Sequence, residues 1–259
     1  MHFTLPHPCY LFHLPGCPGG LPDVANNFVP NPNLDPETSK YWEAGAGLSF
    51  DDVAATGDTL RFKGSYWHQN VDDFINLAVI AGPSSHCFFP PFLPCNFGIA
   101  TANNVDAELK GTEIEGRYDS NRVRITLGHG TVEGTERGTA FDLTSLPADR
   151  VNASFTLKLP EVDGRIGVRG EFADDVHKNY NPVTSDPATE TRGSYSTFDL
   201  FATWEPGNNI FNGALKGLRI DAAVDNITDE DFERTFEGVS EPGRNFKFTI
   251  GYTLAFGGN

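Results

Sequence analysis

A chain of 259 residues is long enough for a large buried core, yet 12% aromatic residues, 27 Gly and 18 Pro spread over many short runs favour strands and turns over a helical bundle. No stretch reaches the roughly eighteen consecutive apolar residues of a spanning helix, which leaves a closed β-barrel as the way through a bilayer, since every backbone N–H and C=O needs a partner there. A formal net charge of −16 excludes a basic phosphate-binding face, and nucleic acid as a partner with it.

Met1 to Gly20 carry no basic region followed by an apolar core and a small-residue cleavage site, so they do not read as a signal peptide. The cysteines fall into two equally spaced pairs, Cys9 with Cys17 and Cys87 with Cys95, each in a Pro-rich stretch without strand pattern. Local loop disulfides fit them in an oxidising compartment, although sequence does not fix the pairing, and CxxC metal spacing is missing.

Asn31-Pro-Asn-Leu-Asp-Pro-Glu-Thr-Ser39 runs directly into the first alternating segment, Trp42, Ala44, Ala46, Leu48 and Phe50. Period two recurs in Leu60, Phe62, Gly64 and Tyr66. From Asn104 to Tyr118 the apolar parity switches around Gly111, which predicts a bulge or bend. Val123, Ile125 and Leu127 mark the next strand, followed by Val151 to Leu159, Ile166 to Phe172, Phe198 to Trp204 and Leu218 to Val224. The last, Phe246 to Phe256, alternates without a break. Asp229, Glu230, Asp231 and Glu233 lack the spacing of a defined cation loop and read as solvated surface.

These are about nine strands, many near the nine to eleven residues that cross a bilayer when tilted. Their second faces carry Arg61, Lys63, Arg122, Arg124, Lys158, Arg165, Arg169, Glu171, Arg219, Asp221 and Lys247, which suits a wet lumen within an apolar outer band. A two-layer sandwich explains the alternation almost as well. Connector length breaks the tie: 51–58, 119–121, 160–164 and 206–214 are short, whereas 75–103, 135–148, 177–193 and 228–243 are long. Outer-membrane barrels keep that alternation, with short periplasmic turns and long extracellular loops. Tyr41, Trp42, Tyr66, Trp67, Tyr118, Trp204, Tyr252 and Phe256 then fall toward strand ends as interface girdles. An odd number of strands cannot close by antiparallel pairing, so the expectation is a truncated chain whose remaining strands come from elsewhere.

Asn31, Pro32, Leu34, Pro36, Glu37 and Thr38 make a segment that resembles the NPxLxPETS motif of TonB-dependent outer-membrane receptors. Asn104 to Glu115, with Asn104, Gly111 and Glu113, looks like the family's "N…A…GxE" strand. Val224 to Asp229 with Pro242 to Phe246, carrying Asn226, Gly243 and Arg244, looks like the end of its penultimate strand and the start of its last. The three occur in family order. The resemblance implies a transmembrane antiparallel barrel of about 22 strands with an N-terminal plug, of which this chain holds the C-terminal part: 1–38 an extracellular loop region, 39–256 barrel, 257–259 a tail. It further implies a Gram-negative outer membrane, energised import through the TonB–ExbB–ExbD system by way of the parent's N-terminal region, and no permanently bound cofactor. The Phe256-Gly-Gly-Asn259 ending departs from the family's terminal aromatic.

Asn70 to Ile75 and the PNPNL run look most like the haem and haemoglobin receptors of that family, in which a His of the loop before NPxL takes part in capture. His7 and His13 stand there, flanked by Phe3, Tyr10 and Phe12, and imidazole is a suitable axial ligand for haem iron. His86, beside Cys87 among Phe88, Phe89, Phe92 and Phe97, is a further candidate. The plain alternatives are polar loop histidines and an aromatic loop that packs on other loops or on a partner. His68, His129 and His177 are expected at hydrogen-bonded lumen or loop positions. No nucleophile with a base at motif spacing and no phosphate-cradling Gly loop point to an enzyme. Haem or another iron chelate, or a haem protein, is the expected cargo or partner. A siderophore or other nutrient receptor, and a passive porin or adhesin, are the alternatives.

Overall fold

The alternation becomes one continuous antiparallel wall in the computed structural model, which describes residues 27–84, 95–144, 146–183, 188–207, 210–234 and 238–254. After a two-residue β1 (Asn27–Phe28) come β2 (Thr38–Asp51), β3 (Thr59–Ser84), β4 (Cys95–Asp119), β5 (Val123–Glu136), β6 (Arg150–Leu159) and β7 (Gly164–Ala173). A small hairpin, β8 (Val176–Asn179) and β9 (Thr189–Arg192), precedes β10 (Tyr195–Trp204), β11 (Leu218–Asp225) and β12 (Asn245–Tyr252). The order β12-β11-β10-β7-β6-β5-β4-β3-β2 is sequential once the β8–β9 hairpin is set aside, and β1 adds in parallel to β4.

Register decides between barrel and sandwich. Phe50, Leu60, Tyr118, Ile125, Phe155, Val168, Leu200, Val224 and Phe246 lie in one row across the nine strands. That row starts at the lower end of β2 and finishes at the upper end of β12. Eight strand spacings of about 4.8 Å climb roughly 25 Å at a strand tilt of about 40°, the height of an outer-membrane apolar band. The same face leaves Phe248 67%, Leu48 63%, Ile114 57% and Leu127 54% exposed, so among the described residues no second layer covers it. A sandwich would have buried these side chains.

The structure corrects several sequence expectations. The connector at 75–103 is largely strand: β3 and β4 have 26 and 25 residues, far more than a crossing needs, and Cys95 opens β4 instead of lying in a loop. The bulge lies in β3, where Asp72 and Asp73 together oppose Asp106 and Asp73 takes φ 60°; β4 runs through Gly111 without a shift. Gly111 answers a different need, since a Cβ there would stand 2.6 Å from the Trp67 ring and 2.4 Å from the Thr131 carbonyl oxygen. Tyr41 and Trp67 share the inner face, stacked at 6.4 Å, and do not belong to the outer girdle formed by Trp42, Tyr66, Trp204 and Tyr252. β12 ends at Tyr252, short of Leu254, and Phe256 lies outside the described residues.

The parity switch marks the edge of the membrane. Below it Ile114, Gly116 and Tyr118 point outward. Above it the outward side chains turn polar, with His68 3.3 Å from Glu108 and Lys110 2.9 Å from Glu133. Meanwhile the inward Val105, Ala107 and Leu109 turn apolar, because Leu143 of the β5–β6 loop packs over them with Val71, Phe74 and Leu146. Leu143 is fully buried, and a Cβ at Gly134 would come within 2.8 Å of Leu146.

Candidate functional site

Asn31, Glu37 and Asn104, and Asn226, Gly243 and Arg244, prove to form two clasps. Residues 31–37 cross the β3–β4 hairpin above the apolar band. The Asn31 carboxamide donates to the Ala102 carbonyl at 3.0 Å. Asn104 donates to the carbonyls of Asp35 at 3.0 Å and Asp73 at 2.6 Å, and accepts the Asp35 N–H at 2.8 Å. Glu37 accepts the Ile75 N–H at 2.7 Å, just past the bulge. Arg137, just past the end of β5, braces that bulge, pairing Asp106 at 2.9 Å and Asp72 at 2.5 Å. Asn104→Ala is expected to weaken the clasp by about 1–3 kcal/mol by leaving amide and carbonyl groups unpartnered. Faster hydrogen exchange at Asp35, with the exchange of β10 and β11 unchanged, is the measurement.

The second clasp joins the end of β11 to the start of β12. Asn226 sits at φ 47°, donates its N–H to Asp199 at 2.9 Å, and closes a turn by donating to the Glu230 carbonyl at 2.8 Å. Asp229 accepts the Arg244 N–H at 2.7 Å, and a Cβ on Gly243 would lie 2.7 Å from the same carboxylate. Arg244 Nε donates to the Ile227 carbonyl at 2.9 Å.

At the opposite end Asp58 anchors the β2–β3 turn. It is 1% exposed and accepts the N–H groups of Val53, Ala54 and Ala55 at 2.7, 2.9 and 2.8 Å and the Tyr118 hydroxyl at 2.8 Å. Burial opposes its charge, but the four donors prevail and hold the carboxyl below its ordinary range.

Three loops meet above the wall. Asp142 of the β5–β6 loop accepts the Asn179 N–H at 2.8 Å, and Thr144 donates to Asn76 at 2.7 Å. Arg192, 2% exposed, donates to the Leu146 carbonyl at 3.0 Å and to the Arg234 carbonyl, and its Nε lies 2.6 Å from Glu190. The Tyr180 hydroxyl donates to Glu190; burial first, then that hydrogen bond, pushes its ionisation well above the usual tyrosine range. Tyr195 packs on Phe232 with ring centroids 4.3 Å apart, and Arg234 pairs with Glu171 at 3.1 Å. This cap was not legible in the sequence, where its three segments read only as long connectors.

The inner face is laced with ion pairs. Asp119 gathers Arg117 at 2.8 Å, Arg124 at 2.7 Å and Lys158, while Lys63 meets Glu115 at 2.8 Å and Arg219 meets Asp221 at 2.6 Å. Glu113, from the "GxE" resemblance, projects to this face between Ser65 and Gly130. His68 and His129 point outward, contrary to a lumen placement, because both share the register of the apolar row. His177 lies 2.7 Å from Asp175 on the β8–β9 hairpin. His7, His13, His86, Cys9, Cys17 and Cys87 lie outside the described residues. No group of three or more potential metal ligands occurs among the described residues.

Comparison with known proteins agrees with this architecture. "Heme/hemopexin utilization protein C" of Haemophilus influenzae is 29% identical over 239 residues, covering 90% of this chain and 32% of its own length. A "Hemin receptor" of Yersinia enterocolitica is 28% identical over 230 residues, covering 88% of this chain and 31% of its own. The chain thus spans about a third of the curated relatives it matches. Among solved structures, the copper transporter OprC superposes with a TM-score of 0.63 at 17% identity, covering 86% of this chain and 32% of that one. The hemophore receptor HasR of Serratia marcescens, in complex with its hemophore HasA and heme, superposes with a TM-score of 0.56 at 22% identity, covering 87% and 32%. Residues 17–227 match the family model described as "TonB dependent receptor-like, beta-barrel", and the chain belongs to that family of receptor barrels.

Proposed function

We propose that the chain is the C-terminal wall of a full-length outer-membrane receptor that imports haem, energised through TonB, ExbB and ExbD. In this reading residues 1–38 and the long upper loops face the outside, residues 39–256 form barrel, and haem is cargo, not a resident cofactor. The observation that carries it is the set of haem and hemin receptors aligned over about 90% of the chain, which is broader than a shared barrel motif. The two-faced wall, with its apolar band outside and ion pairs inside, supports passage of a polar cargo. His7, His13 and His86 are the proposed axial ligands, with loop disulfides between Cys9 and Cys17 and between Cys87 and Cys95 holding their loops.

The test titrates hemin into the detergent-solubilised full-length receptor. A shifted and sharpened Soret band is expected, reduced by His7→Ala, His13→Ala or His86→Ala. A spectrum identical to free hemin, together with no hemin-dependent growth, would favour a siderophore or other iron chelate and sink the haem reading.

A further inference from the structure

Just under the cap, the inner face of β2 to β6 holds a recess lined by Glu43, Trp67, Glu113, Arg150 and Asn152 and by the Lys63–Glu115 ion pair, with Pro147 and Ala148 of the β5–β6 loop above it. Trp67 forms one side. Its ring lies over Gly111, where a Cβ would come within 2.6 Å, so the indole is laid against the wall. Tyr41 stacks beside it and donates its hydroxyl to Glu43 at 2.7 Å.

Arg150 forms the other side, three strand spacings away, which is about 14 Å. Most inner-face arginines have an acid: Arg117 and Arg124 share Asp119, Arg165 faces Glu205, Arg169 faces Asp199 and Arg219 holds Asp221. Arg150 has no ion-pair partner among the described residues. Arg61 is alike, but it stands beside Arg117 near the lower turns, away from the recess. Between the two sides the floor is low, because Gly128 and Gly130 of β5 carry no side chain.

From this geometry we infer that the recess is a transit site for a flat aromatic carboxylate, held by Trp67 against its ring and by Arg150 at its carboxylate. This rests on the haem-import reading and adds to it a second station, on the barrel wall, below capture at the loops. The polarity follows from charge. Glu43 and Glu113 stand on the Trp67 side and repel carboxylate arms, whereas the unpaired guanidinium accepts them in its planar fork. Trp67 supplies stacking area without needing a polar partner from the cargo.

The test measures hemin uptake by cells whose sole haem receptor is the full-length protein, against uptake of the hemin dimethyl ester, whose carboxylates are blocked. Wild type is expected to favour the free acid. Arg150→Gln should slow hemin uptake about tenfold, the loss of one charge-assisted contact, and bring the free acid and the ester to equal rates. Trp67→Leu should slow both cargoes alike. Soret titration of the loop site should stay unchanged in both variants, and a heat-modifiable gel shift verifies that each barrel has folded. Arg150→Gln that keeps the wild-type preference for the free acid overturns the inference while leaving haem import standing. So does a variant that lowers thermal stability without altering that preference, since the recess would then seat a polypeptide segment inside the bore. Absence of any hemin uptake in wild type overturns the import reading itself, and the transit site with it.

Discussion

Leu200→Arg is expected to cost the full-length receptor about 2–4 kcal/mol of folding stability in phospholipid vesicles, the range for arginine at the midplane of a barrel's lipid face. Leu200 sits in the row that climbs from Phe50 to Phe246, on β10 with Val168 on one side and Val224 on the other. It is 43% exposed, so an arginine there would meet lipid and not a second protein layer. Thr249→Arg is the control. Thr249 opposes Asp221 on the inner face, where water and an acid receive the guanidinium, and the change should stay within about 0.5 kcal/mol. Denaturant midpoints at unchanged slope measure both. Equal costs at the two positions would mean that the faces have been assigned wrongly.

The period-two faces and the alternating connector lengths were readable in the chain because each strand is its own record of inside and outside. Phe246, Phe248 and Ile250 alternate with Lys247 and Thr249, and the register merely aligns that pattern with its neighbour. Where two signals overlap, reading fails. Around Gly111 the apolar parity changes because the strand leaves lipid and passes beneath Leu143, a contact with a residue 32 positions later that no local pattern encodes. A bulge gives the same local signature, and the actual bulge, at Asp72 and Asp73, is marked only by two polar residues. Tyr41 and Trp67 were misassigned for a related reason: an aromatic near a strand end can serve either face, and only parity against Trp42 and Tyr66 distinguishes them. The motif residues were found, but sequence could not reveal that Asn31, Glu37 and Asn104 belong to one clasp, because their hydrogen bonds to Ala102, Ile75 and Asp35 cross 71, 38 and 69 residues of chain.

Arg192→Ala is expected to open the cap, with a loss of about 3–5 kcal/mol in local stability, the cost of removing one member of a buried charge pair. The guanidinium contacts all three upper segments: Leu146 of the β5–β6 loop, Glu190 of the β8–β9 hairpin and Arg234 of the β11–β12 loop. Without it the Glu190 carboxylate and two carbonyls remain in a site that is 2% exposed, with the Tyr180 hydroxyl as the remaining donor to Glu190. These loops stand above the membrane wall, so the loss should appear as local opening and not as global unfolding. Amide protection in 137–149, 176–192 and 226–234 should fall by about two to four orders of magnitude, while β6 and β7 keep theirs. Arg192→Lys retains the charge but not the planar fork, and should fall between the two. Unchanged protection in all three loops would show that apolar packing by Leu143 and Phe232 holds the cap without the guanidinium.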